Sequence, residues 1–247
     1  MANKATTGNL SASKACDTSG VGEHLLLGST LRKLVIAVVA AGAMSSAAFA
    51  QTASSPANVI PPPPPANTNL TFGLAPLPPN PNATPGQIVD EMKVGLLAHD
   101  VGFLGDHKER GFDVNLEMLF TSPDILAVIG SPRPHIGGDY NTAGQTSDAF
   151  AGLTWGISLI QNLFHAGDYV FANGSLGGAY QDGYVDNAPL GRKELGSPIL
   201  FRESAELGYQ VTPVISVSAI LEHISNANLA QHNAGITSAG ARLGFKF

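Results

Sequence analysis

From about Asp90 to the end of the chain, apolar and polar residues alternate with a period of two, and clusters of turn-forming residues interrupt the alternation. Successive side chains of a β-strand point to opposite faces, so this is the pattern of strands with one apolar face. Eight strands are predicted, at about 91–101, 110–120, 133–142, 148–159, 168–180, 198–210, 213–225 and 236–247. The breaks carry Gly, Pro, Asp or Asn, as at Gly105-Asp106, Ser131-Pro132, Asp182-Gly183 and Val211-Thr212-Pro213. The last strand shows the pattern most fully. Thr237, Ala239, Ala241, Leu243, Phe245 and Phe247 share one face, while Ser238, Gly240, Arg242, Gly244 and Lys246 share the other. Strand 213–225 repeats it, with Ile215, Val217, Ala219 and Leu221 opposite Ser216, Ser218 and Glu222. The longest connection, 181–197, is polar and reads as an outer loop.

The residues before Asp90 divide into two further regions. Residues 1–50 hold an N-terminal extension and a signal peptide. Arg32-Lys33 forms a positive start, Leu34 to Ala43 is an apolar run too short to span a bilayer as a helix, and Ala48-Phe49-Ala50 fits a cleavage site. Residues 51–89 are predicted to be a disordered, proline-rich linker, with five prolines in the run Pro61 to Pro65. Residues 90–247 are the barrel domain.

Composition narrows the class. Only 13% of the 247 residues are charged, there are 28 Gly, and the net charge is −6. That balance excludes a nucleic-acid binder, which needs a basic face. The one cysteine, Cys16, precedes the cleavage site, so neither a disulfide framework nor a cysteine-based metal site is available to the exported chain. In a soluble sandwich the apolar faces would point inward. In a membrane barrel they point outward to lipid and the polar faces fill the lumen. Export, eight strands of about ten residues, and a terminal strand ending on Phe247 favour the second. That terminal strand resembles the assembly signal of outer-membrane barrels. The expected fold is an all-β, eight-stranded antiparallel outer-membrane β-barrel.

Candidate chemistry concentrates at residues 222–237. His223 and Ser225 are two apart on a strand, so both continue the outward apolar face. An imidazole beside a hydroxyl is the minimal pairing of base and nucleophile. On the outer wall it faces acyl chains and headgroups. Asn226 and the amides of Ala227 and Asn228 are placed to hold an oxyanion. No HxxxH or HExxH spacing occurs, so no metal is expected, and no cofactor is implied.

The run His223-Ile224-Ser225-Asn226-Ala227, followed by Asn233-x-Gly235 and a last strand ending in an aromatic, resembles the outer-membrane lipid A 3-O-deacylases of the acyloxyacyl hydrolase family. The resemblance implies an eight-stranded barrel that hydrolyses the ester-linked 3-O acyl chain of lipid A in lipopolysaccharide. It implies Ser225 as nucleophile, His223 as base and Asn226 linked to the oxyanion hole. It places Thr237 where the family has a glutamate that orients the histidine. Glu203, on the strand beside His223, is a possible substitute acid; the other reading turns it to solvent or pairs it with Arg202. Expected partners are lipid A and outer-membrane lipid, and a homodimer stays open. The rival functions are a structural or surface barrel that has lost activity and a small pore, the latter disfavoured because an eight-stranded barrel is filled by its own side chains.

Overall fold

The computed structural model describes residues 69–102 and 104–247. Nine strands appear in chain order: β1 (Thr71–Pro76), β2 (Val89–Ala98), β3 (Phe112–Phe120), β4 (Arg133–Asn141), β5 (Asp148–Gln161), β6 (Tyr169–Gln181), β7 (Ile199–Gln210), β8 (Ile215–Ser225) and β9 (Ile236–Lys246). A single 3-10 helix, Asp124–Ile129, sits in the β3–β4 connection. Strands β2 to β9 pair antiparallel with their chain neighbours except at β2, which pairs with β9, so the eight close into a barrel. They coincide with the eight predicted strands to within about two residues in most places.

The interior is polar and the wall is apolar. Lys93, Arg202, Glu206 and Arg242 point inward and are buried, whereas Leu96, Leu176, Phe201, Leu207 and Leu243 point outward and are exposed. Buried charges are tolerated only when paired, and here each has an opposite partner. Lys93 bonds Glu206 at 2.6 Å, Arg242 bonds Glu206 at 2.8 Å and Glu117, and Arg202 bonds Glu222 at 2.6 Å. Closure satisfies the backbone of the ring without any edge, which is the condition for crossing lipid with strands.

Both ends of the lumen are covered. At the loop end, Leu195 from the connection 182–198 packs with Phe150, Ala179, Leu200, Ile224 and Ile236 in a small apolar cluster. That connection is an outer loop, as its polar sequence predicts, from which Lys193 and Leu195 reach in and cap the lumen. At the other end, the expectation of a disordered linker over 51–89 fails for the part described. Residues 71–76 form β1, which pairs with the stretch of β5 that extends beyond β4. Leu77 then packs against Gly156, whose missing Cβ would lie 2.5 Å from Leu77 Cδ1. The chain continues toward the terminus, where Asn80 Nδ2 and Gln87 Nε2 both donate to the Phe247 carbonyl, at 2.9 and 3.0 Å. The expected signal peptide, Cys16 and the run Pro61 to Pro65 lie outside the described residues.

Candidate active site

Three residues stand in one row across the outer wall. Glu203 of β7 pairs in register with His223 of β8, which pairs with Thr237 of β9. The period of two that puts Ile215, Val217, Ala219 and Leu221 on the outer face carries His223 and Ser225 onto it as well. His223 Nδ1 and Thr237 Oγ1 lie 2.8 Å apart. Thr237 is only 1% exposed although it faces outward, because the segment after β2 folds over it: Val101 N donates to the Thr237 carbonyl at 2.7 Å. Glu203 is exposed, and among the described residues no hydrogen bond or ion pair joins it to His223. Nor does it pair with Arg202, whose guanidinium turns inward to Glu222.

Ser225 ends β8, opposite Phe201 on one side and beyond the first residue of β9 on the other. The turn that follows is tight. Ala227 and Asn228 both have positive φ, at 53° and 61°, and Leu229 N donates to the Asn226 carbonyl at 3.0 Å. Left-handed backbone at two successive non-glycine residues is costly and must be held by its surroundings. Asn226 does part of that holding: its Nδ2 donates to the carbonyls of Leu195, at 2.8 Å, and His232, and its backbone N–H donates to Asn233 Oδ1 at 3.0 Å. The Asn226 side-chain amide is thus occupied by the loops. The N–H groups of Ala227 and Asn228 have no bond among the described residues.

Gly235 has a role the sequence motif does not explain. A Cβ there would lie 2.8 Å from His223 Cε1 and 2.9 Å from Nε2. Only glycine leaves room for the imidazole. Below the ring, an apolar groove of about 460 Å³ runs along the wall between Leu104, Trp155, Leu176, Ala205 and Leu221, with Glu203 and His223 at its side.

A family model for lipid A 3-O-deacylase (PagL) matches residues 125–246, a stretch that contains β4 to β9 and His223, Ser225 and Thr237. Over that stretch, just under half of its length, the chain is similar to the lipid A 3-O-deacylase family. The crystal structure of the outer membrane enzyme PagL is similar, at 19% identity and a TM-score of 0.49, over 64% of this chain and 99% of that one. The outer membrane protein Ail of Yersinia pestis, in a phospholipid bilayer nanodisc, matches at 16% identity and a TM-score of 0.35, over 65% of this chain and all of that one. No curated protein matches. The chain is an outer-membrane β-barrel, with its apolar wall in lipid.

Around the row, the barrel carries a buried ionic clamp that the sequence pattern does not reveal. Lys193, from the loop after β6, is 1% exposed and donates to Asp100 Oδ1 and to the Gly235 carbonyl, both at 2.6 Å. Next to it, Glu109 accepts from Arg192 Nε at 2.9 Å, from Lys193 N at 3.1 Å and from Thr146 N at 2.9 Å, and bonds His99 Nε2 at 3.2 Å. The other ring nitrogen of His99 meets Asp113 Oδ2 at 2.7 Å. Burial alone would lower the His99 pKa, but hydrogen bonds to Asp113 and Glu109 outweigh it and raise the value to about 9. Burial likewise pushes Glu109 up, and its bonds to His99 and Arg192 bring it down to about 2. The clamp ties four loops together and fixes Gly235 beside His223. No periodicity marks these residues, because they lie in loops and meet only when the barrel closes.

Proposed function

We propose that this barrel removes the 3-O-linked acyl chain of lipid A by ester hydrolysis on its outer wall. With His223 Nδ1–H donating to Thr237 Oγ1, Nε2 carries the free lone pair of a general base. Ser225 Oγ attacks the ester carbonyl and gives its proton to Nε2. The oxyanion that forms is met by the N–H groups of Ala227 and Asn228. Collapse breaks the acyl–oxygen bond, and Nε2–H returns the proton to the departing sugar alkoxide. A water activated by the same nitrogen then cleaves the acyl-serine and frees the fatty acid. The groove beside His223 suits the acyl chain, since its lining is mostly apolar. Thr237 orients the ring but carries no charge to stabilise the imidazolium. In serine proteases, replacing the orienting acid by its amide costs about four decades in turnover, so a slow enzyme is expected.

The observation that carries this reading is the 2.8 Å contact of His223 with Thr237, on the lipid-facing wall beside Ser225. Mass spectrometry of lipid A after expression in a heterologous outer membrane tests it. Loss of one 3-hydroxy-linked chain with the wild type, and none with Ser225→Ala, is the expected result. A second reading, a surface barrel without turnover, is favoured by the neutral Thr237 alone; identical lipid A profiles from both strains would establish it.

A further inference from the structure

A second cavity, of about 720 Å³, lies on the loop side of the row. Gly235, which lies against the His223 ring, also lines this cavity, and Leu104 lines both spaces, so the two adjoin beside His223. Its lining is charged where the groove is apolar. Arg192, Lys108, Asp106 and Glu194 all contribute.

Arg192 is set in place before anything binds. Its Nε donates to Glu109, a fully buried carboxylate already fixed by two backbone N–H groups. Its guanidinium lies over the Tyr184 ring, 5.0 Å from the centroid. Anchoring through Nε leaves both terminal amino groups without a bond among the described residues. Those two nitrogens form the fork that binds a phosphate through parallel hydrogen bonds. Glu194 does not compete, since it accepts from Ala188 N at 3.2 Å and meets His232 at 3.2 Å. Asp106 also lines the space and offers an acceptor, which suits hydroxyls beside the phosphate.

We propose that this cavity binds the phosphate-bearing sugar headgroup of the lipid, with the Arg192 fork on the phosphate and Lys108 beside it. The proposal rests on the deacylase reading for the lipid's identity, but it concerns binding and not cleavage.

The test uses the full chain carrying Ser225→Ala, refolded in detergent micelles, and fluorescently labelled lipid A with and without its phosphates. Heat-modifiable gel mobility checks that each variant is folded. The phosphorylated lipid is expected to bind about tenfold more tightly. Arg192→Gln should erase that preference, Arg192→Lys should keep part of it, and the exposed Lys108→Ala should cut it about threefold. Inorganic phosphate should compete only at concentrations far above those of the lipid. Equal binding of the two lipids, or an undiminished preference in both Arg192→Gln and Lys108→Ala, overturns the proposal. So does full competition by submillimolar inorganic phosphate, which would make this a site for free anions. A chain that shows the preference in binding and yet leaves lipid A uncut refutes the reaction and keeps the cavity.

Discussion

Thr237 decides how much chemistry the row can do. It sits at hydrogen-bond distance from His223 and is buried, so it holds the ring in one orientation. Thr237→Val removes that partner and is expected to lower deacylation at least tenfold with no loss of folded barrel. Thr237→Glu supplies the missing charge and should raise turnover by one decade or more, read as fatty acid released from purified lipid A. Glu203 separates two cases. It is one strand away from His223 but bonds nothing there, so Glu203→Gln is expected to change the rate less than threefold; a complete loss would mean that Glu203 is the working acid. Gly235 offers a purely steric check. Gly235→Ala puts a methyl 2.8 Å from Cε1 of the imidazole, and overpacking of this kind displaces the ring at a cost of about 1–3 kcal/mol. Activity should fall by a decade or more while heat-modifiable mobility stays that of the wild type.

The strands were legible in the sequence because the barrel imposes one rule on each: outward apolar, inward polar or small. That rule fixes His223, Ser225 and Thr237 on one face and Glu222 on the other before any coordinates are known. The loops obey no period. His99, Asp100 and Glu109 lie in the β2–β3 connection and Lys193 in the β6–β7 connection, about 90 residues further along, and only closure brings them into one clamp. The polar sequence of 182–198 reads as an outer loop, and nothing in its pattern marks Lys193 and Leu195 as the residues that are buried in it. For the same reason β1 was hidden, since a six-residue strand among prolines has no partner until β5 outruns β4. The clamp makes the loops sensitive to pH. His99 ordinarily titrates at 6.5 and here at about 9. Its charged form therefore stabilises the loops fully below pH 6.5, and that stabilisation, about 3 kcal/mol by linkage, fades as pH rises through 9. Glu109 acts at the opposite limit, and its contribution is lost only as pH falls through about 2. Limited proteolysis of the loops should accelerate between pH 7 and 9.5 in the wild type. In His99→Gln it should be faster at neutral pH and nearly flat over that range.

At the scale of the whole molecule, the terminal residue ties the barrel shut. Phe247 N donates to the Asp90 carbonyl at 3.1 Å, and its own carbonyl accepts from Asn80 and Gln87. Phe247→Asp should reduce the yield of folded barrel in the outer membrane, with a smaller effect on the specific activity of what does fold. Gel mobility with and without heating measures the first and deacylation per folded molecule the second. The ion pairs of the lumen carry a different consequence. Lys93, Glu206, Arg242, Glu117, Arg202 and Glu222 span the interior in paired contacts, with Leu195 above and Leu77 below. A hydrated ion would have to break those pairs to enter, and separating one buried pair costs about 3–5 kcal/mol. A planar lipid bilayer doped with this protein should therefore keep its electrical resistance, with no discrete current steps at 100 mV: the barrel is an insulator.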